Sequence, residues 1–197
     1  MKSGFKALLF AVVLIATQTG CSALVAGVAV VTGAVVAIQE RSVGDVIDDA
    51  SVLIKLNRAL FKAGMFSSVT AKVSEGRVLL IGIVDSPEKR VSAERLAWQQ
   101  EEVKEVVNEV VVEKNATTVK EFATDSTISA QIKARMMVRA GVKSVNYSVN
   151  TISGVVYIMG IARDNKELNA VITIAKRVRG VKQVVSYVRL KHSRLRN

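Results

Sequence analysis

Gly76-Arg77-Val78-Leu79-Leu80-Ile81-Gly82 and Gly154-Val155-Val156-Tyr157-Ile158-Met159-Gly160 are two forms of one segment. Each is a short apolar run bounded by glycines, the pattern of a β-strand entered from a tight turn. The repetition extends outward on both sides. Val103-Lys104-Glu105-Val106-Val107 matches Val181-Lys182-Gln183-Val184-Val185, and Val52, Leu56 and Leu60 match Ile128, Ile132 and Met136. Residues 49–112 and 125–190 are therefore two copies of one unit. The offset between the copies is 76 residues at the helix and 78 at the glycine-bounded strand, which predicts a hairpin two residues longer in the second copy.

Both copies have the same internal order. Val52, Leu56, Leu60 and Ile128, Ile132, Met136 recur every four residues, the stripe of a first helix. A hairpin follows, turning near Ser74-Glu75-Gly76 and between Asn150 and Gly154, with alternation at Val145, Tyr147, Val149 and at Val156, Ile158. The second helix opens at Ser86-Pro87, a cap followed by proline at the first helical position. In the other copy it opens at Asp164, with Glu167 three residues on as in a capping box. Its stripe is Val171, Ile174, Ala175, Val178, and the equivalent run Ala93, Leu96, Ala97 ends in Gln100. Gly180 suits the residue just beyond the helix end, where the first copy has Glu102. A third strand closes each unit. The expected fold is α+β, an α-β-β-α-β unit used twice. Gly76 and Gly82 serve the hairpin and close packing, since no phosphate-loop spacing surrounds them.

The 197 residues are 50% apolar and 23% charged, too apolar for a disordered chain. With one Cys and one His, an intrachain disulfide, a His-based triad and a multi-His or Cys-cluster metal centre are excluded. No catalytic residue, metal ligand or cofactor is assigned, and the chain reads as a non-enzyme. The net charge of +11 is unevenly spread. Residues 1–118 hold 13 Lys/Arg and 13 Asp/Glu; residues 119–197 hold 15 and 4. The second copy is thus the half that would meet an anionic partner.

The N-terminus reads as an address. Lys2 and Lys6 precede the apolar run Ala7 to Ala16, the order of a secretory signal peptide over residues 1–20. Thr19-Gly20-Cys21 at its end resembles a bacterial lipobox, which makes Cys21 the expected acylation site; Gln18 departs from that pattern. A second uncharged run, Ala23 to Ile38, follows. It is short for a full span of about 20 residues. Acyl chains plus this run would give two membrane signals and stable anchoring. The competing reading is an uncleaved hairpin or a long anchor made from both runs.

An α-β-β-α-β unit with G-x-V-x-L-x-G in its hairpin and G-V-x-x-V before its last strand resembles a BON domain. Two such domains behind a lipobox are similar to dual-BON outer-membrane lipoproteins, as is Arg41 to Asp49 at the opening of the first domain. Ser22 after the Cys is similar to the outer-membrane sorting pattern. The boundaries read as 21–45 for the anchor segment, 46–114 for the first domain, 115–124 for a linker, 125–192 for the second domain and 193–197 for a basic tail. The resemblance implies three-stranded mixed sheets, each packed by two helices. It implies a lipid-anchored protein facing the periplasm of a Gram-negative bacterium, with the first helix of the second domain binding anionic phospholipid. It also implies a role in envelope integrity at the division site. Links to the barrel-assembly machinery and to cell-wall division factors come from the resemblance alone. The alternative is a periplasmic stress or chaperone-like BON protein without specific lipid binding.

The residues of that helix can be read independently. At about 100° per residue, Ile128, Ile132 and Met136 form a narrow core stripe, and Met137 falls on the far side. Thr127, Ala130, Ala134 and Val138 also lie off the stripe, bordered by Lys133 and Arg139. Small and apolar residues with basic neighbours suit a shallow lipid contact. The competing reading packs Met137 and Val138 on the first domain or the linker. Where the family has an aromatic wedge, this chain has Thr127. Arg177, Arg179 and Lys182 are the runner-up lipid site. Glu101, Glu102, Glu105 and Glu109 read as a solvated acidic edge, and Asp45, Asp48 and Asp49 as favouring a helix N-terminus rather than holding calcium. The Arg/Lys tail would suit nucleic acid only in a chain that stays in the cytoplasm; behind a signal peptide no nucleic-acid partner is expected.

Overall fold

The structure is a computed structural model that describes residues 40–114 and 119–193. The segment expected to be a signal peptide, Cys21, the run Ala23 to Ile38 and the tail beyond Ser193 lie outside the described residues. The first unit comprises helix α1 (Val43–Lys62), strands β1 (Val69–Ser74) and β2 (Arg77–Val84), helix α2 (Pro87–Trp98) and strand β3 (Glu105–Val112). The second comprises α3 (Val119–Met137), β4 (Tyr147–Ile152), β5 (Val155–Ala162), α4 (Asn165–Lys176) and β6 (Gln183–Leu190). The central strand of each sheet pairs antiparallel with the first strand and parallel with the last. The expected α+β architecture, with two three-stranded mixed sheets, is what forms.

One face of each sheet carries its two helices. Val52, Leu56 and Leu60 of α1 and Ala93 and Ala97 of α2 pack on Val78 and Leu80 of β2. Ile128, Ile132 and Met136 of α3 and Val171 and Ala175 of α4 pack on Val156 and Ile158 of β5. The opposite faces meet each other. Leu79 and Ile81 from β2 join Tyr157 and Met159 from β5 in a third core, flanked by Val107, Ile152, Val185 and Tyr187. Burying side chains of this size contributes roughly 1.5–3 kcal/mol each. Polar contacts rim this joint: Arg77 Nη2 donates to the Tyr187 carbonyl at 3.1 Å, Arg189 pairs with Glu105, and the Tyr187 hydroxyl donates to Glu109. The acidic edge is thus partly a bonding edge.

Several local readings are corrected. The hairpins are equal in length, two residues each, Glu75-Gly76 and Ser153-Gly154. The two extra residues of the second copy lie between helix and strand, where a 3₁₀ turn at Ser144–Asn146 intervenes. Val145 sits in that turn, not in a strand, and is 40% exposed. Asp164 caps α4 by accepting from Glu167 N at 2.8 Å, but no reciprocal box forms. The Glu167 carboxylate turns inward instead, accepting from Lys143 N, Arg163 N and Arg163 Nε. Asp49 is not a helix-dipole residue: its buried carboxylate accepts from Glu75 N and Gly76 N at 2.8 and 2.9 Å and pairs with Arg41. Asp125 clasps the other hairpin through Ser153 N and Gly154 N at 2.6 and 2.9 Å.

Gly82 and Gly160 lie inside the central strands, two residues before their ends, where the segment leading into the first strand crosses over them. A Cβ there would lie 2.0 Å from the carbonyl oxygen of Ser68 or Asn146. Gly180 and Glu102 are not at the helix ends, since α4 and α2 are capped by Arg177 and Gln99; they occupy equivalent turns three residues further on, with φ of 93° and 67°. The left-handed conformation costs a side-chain residue about 1–2 kcal/mol. Glu102→Gly should therefore raise the stability of the first domain by about 1 kcal/mol. A denaturant midpoint that stays put or falls would show that the turn carries no strain.

Glu40 ties the segment ahead of α1 to the second domain. Its backbone N–H donates to Asn146 Oδ1 at 3.1 Å, and its carboxylate pairs with Lys143 at 2.7 Å and Lys191 at 2.6 Å. Hydrogen bonds from Lys143, then Lys191, pull its pKa from 4.5 to about 2. The folded value lies below the unfolded one, so the clamp's stabilisation is complete above about pH 4.5 and is lost as pH falls through about 2. Glu40→Gln should lower stability at neutral pH and shrink the loss on acidification, as read from thermal melting across the acid range. Parallel acid limbs for the variant and the parent would contradict this assignment.

Candidate functional site

The buried side of α3 is fixed first. Ile128, Ile132 and Met136 are at most 3% exposed, as their spacing predicts. Ser129 Oγ and Thr151 Oγ1 hydrogen-bond at 2.8 Å, and Arg135 Nη1 donates to the Arg177 carbonyl at 3.2 Å. These contacts leave Thr127, Ala130, Lys133, Ala134, Met137, Val138 and Arg139 all exposed. Met137 is 73% and Val138 86% exposed, so neither packs on the first domain. Thr127 turns its hydroxyl back to the Ala123 carbonyl at 2.8 Å and offers no wedge.

Five of the seven predicted residues divide between two places, and Thr127 and Ala134 line neither. Ala130 and Lys133 line a cleft of about 730 Å³ whose far wall is the first domain, at Ser67, Ser68 and Thr70. Burial, followed by the charge of Lys133, lowers the pKa of Lys72. Phe122, 70% exposed, belongs to the same cleft. Sequence reading missed it because α3 reaches back to Val119, into the stretch taken as linker. Phe122, Ser126, Ala130, Lys133 and Met137 follow one another at intervals of three or four, and that continuation of the helical spacing is the signal that could have found it.

Met137, Val138 and Arg139 form the other place, the C-terminal tip of α3. Beside the tip a groove of about 790 Å³ runs along α4, walled by Arg139, Arg163, Lys166 and Arg177 and floored partly by Ala170 and Ile174. Arg163 is committed: it pairs with Glu167 at 2.9 Å and donates to the Gly141 carbonyl at 2.7 Å. Burial pushes the Glu167 carboxyl up, but the backbone donors of Lys143 and Arg163 and the Arg163 guanidinium outweigh it and hold it below its usual range. The Arg139, Lys166 and Arg177 side chains have no ion-pair partner among the described residues. The tip thus presents two projecting apolar side chains beside three uncommitted cations. That combination can admit side chains to an acyl boundary while meeting phosphate oxygens. Among the described residues there is no acidic, His or Cys cluster fit for a metal, and no helix long and apolar enough to cross a membrane.

Comparison with known proteins bears on this arrangement. A family described as BON domain matches residues 44–114 and 124–192. The chain is similar to "Uncharacterized protein in gshII 5'region" of Anaplasma centrale, 70% identical over 150 residues, which cover 76% of this chain and 99% of that one. It is 34% identical over 169 residues to outer membrane lipoprotein DolP of Haemophilus influenzae, covering 84% of this chain and 86% of the relative. It is 29% identical over 154 residues to osmotically-inducible protein Y of Escherichia coli, covering 77% of each.

Adjacent methionines at the tip give a direct check on the facing of α3. Met137→Glu should leave stability within about 0.5 kcal/mol of the parent, as an exposed position allows. Met136→Glu, buried at 1% exposure, should unfold the second domain. Equal effects of the two substitutions on the melting midpoint would contradict the assigned faces.

Proposed function

Because the chain belongs to the BON-domain family, carrying two copies of the domain, we propose that it is a non-enzymatic lipoprotein of the outer membrane. In this reading Cys21 is acylated and the two domains face the periplasm. The second domain binds anionic phospholipid and supports envelope integrity, at the division site in particular. The observation that carries the lipid reading is the pairing of exposed Met137 and Val138 with the free cations Arg139, Lys166 and Arg177. The similarity to a named outer membrane lipoprotein over most of both chains supports the location.

Two forces act at such a contact and respond differently to salt. Each cation near an anionic surface contributes about 1 kcal/mol, and that attraction fades over a Debye length of about 10 Å at 0.1 M salt. Burying Met137 in the acyl boundary adds roughly 1.5–3 kcal/mol that salt barely changes. A fragment spanning residues 40–197, floated with vesicles containing phosphatidylglycerol, tests this without the anchor. Met137→Glu should weaken binding at low and high salt alike, whereas Arg139→Glu with Lys166→Glu should weaken it mainly at low salt. Undiminished binding by both variants would move the lipid site elsewhere. No binding by the parent fragment would favour a periplasmic stress protein instead.

Processing is tested separately in the full chain. Cys21→Ala should abolish labelling by a fatty-acid analogue and shift the protein out of the membrane fraction. Unchanged labelling would remove the lipoprotein assignment.

A further inference from the structure

The first domain carries an apolar face of its own, on the side of α1 turned away from the core. Ile47 and Ile54 are each 63% exposed and Phe61 is 72% exposed. They recur at intervals of seven, the repeat of a helix-pairing seam. Phe66, 55% exposed, extends the stripe by packing edge-on against Phe61, with centroids 6.2 Å apart. Ala50 lies between the first two positions, and a shallow groove runs along Ile47, Ala50, Ser51, Ile54 and Arg58. Four large apolar side chains on one surface call for a partner.

The charges beside the stripe say which partner fits. Asp48 lies in the second turn of α1, Arg58 in its last third and Lys62 at its last position. All three are exposed and have no ion-pair partner among the described residues. An anionic bilayer would repel the acidic half of this face. A second α1 running antiparallel would not. We propose that α1 pairs antiparallel with α1 of a second copy of this chain, about a two-fold axis at Ile54. Seven residues separate Ile54 from Ile47 and seven from Phe61, so Ile47 of one copy meets Phe61 of the other. Asp48 lies six residues before the axis, and Arg58 and Lys62 lie four and eight after it. In the antiparallel pair Asp48 therefore sits between the partner's Arg58 and Lys62, on the same flank, because like flanks face each other in such a pair. Lys55, one residue past the axis on that flank, is paired with Glu101 of its own copy at 3.6 Å, so the charges left to meet across the pair are complementary, as an isologous interface requires.

Disulfide capture in membranes carrying the full chain tests the pairing. The parent, whose single cysteine is Cys21, sets the background. With added copper–phenanthroline, Ile54→Cys should yield a covalent dimer roughly tenfold or more faster than Gln131→Cys, an exposed position on α3. Adding Asp48→Lys to Ile54→Cys should slow dimer formation, and adding Arg58→Glu with Lys62→Glu to that variant should restore it. All these positions are exposed, and unchanged melting confirms that each variant folds. Equal capture rates for Ile54→Cys and Gln131→Cys would overturn the pairing. So would a charge exchange that restores nothing. If Asp48→Lys instead tightens vesicle binding and Arg58→Glu weakens it, the partner is a bilayer and the inference fails. If deleting residues 23–38 unmasks the Ile54→Cys thiol to a water-soluble maleimide, that segment covers the face and the inference fails equally.

Discussion

Leu79, Ile81, Tyr157 and Met159 leave water only because two sheets press back to back. A three-stranded sheet with helices on one side has an apolar face left over, and each copy of this unit solves that problem for the other. The joint turns two small domains into one layered body, helices outside and sheets within. It also decides what remains exposed. Since the sheet faces are used up, the surfaces left for partners are the outer helices and the clefts at the rim. Both apolar helix faces described above, on α1 and on the tip of α3, are consequences of that arrangement.

The repeat made most of the architecture legible. A four-residue recurrence of Val52, Leu56, Leu60 and of Ile128, Ile132, Met136 defined the helix faces, and burial of these residues to 3% exposure or less follows it. The orientation of Met137 followed from the same periodicity. Contacts across the repeat were harder to see. The joint between sheets was written in the unbroken apolar runs of β2 and β5, which signal a strand buried on both sides rather than a half-exposed hairpin arm. The Asp49 and Asp125 clasps had a signal too, since the two residues match at the helix offset. A lone carboxylate near a helix start nonetheless reads first as a charge on the helix dipole. The two-residue insertion was misplaced because an offset shows that residues were added somewhere between two matched points, not where. Ala130 and Lys133 were correctly taken as exposed, but no periodicity along one helix shows that a second domain stands across from them.

The two copies have diverged in ways that are physical rather than decorative. The second keeps glycine at the left-handed turn before its last strand, and the first carries Glu102 there with φ of 67°. Gln100 has replaced the last apolar member of the α2 stripe and folds its amide back onto the Leu96 carbonyl at 2.9 Å. Meanwhile the second copy has gathered the cations. Its α4 groove holds Arg139, Lys166 and Arg177, whereas the first copy divides its charge along α1, acid at one end and base at the other. One domain thus presents a cluster of like charges, and the other a helix whose charge is itself polarised.

The Glu40 clamp has a mechanical meaning. Chain order would have any pull on the residues ahead of position 40 reach α1 first. The paired lysines, Lys143 and Lys191, intercept it and pass it directly to the second domain. Because α1 starts only three residues later, the first domain is held as a bight, fastened at both ends to its neighbour and carrying little of the tension. Both ion pairs and the hydrogen bond to Asn146 converge on this one residue, so the clamp gives way as a unit. A tethered protein wired this way would bear strain through the domain that carries the basic groove and leave the other slack.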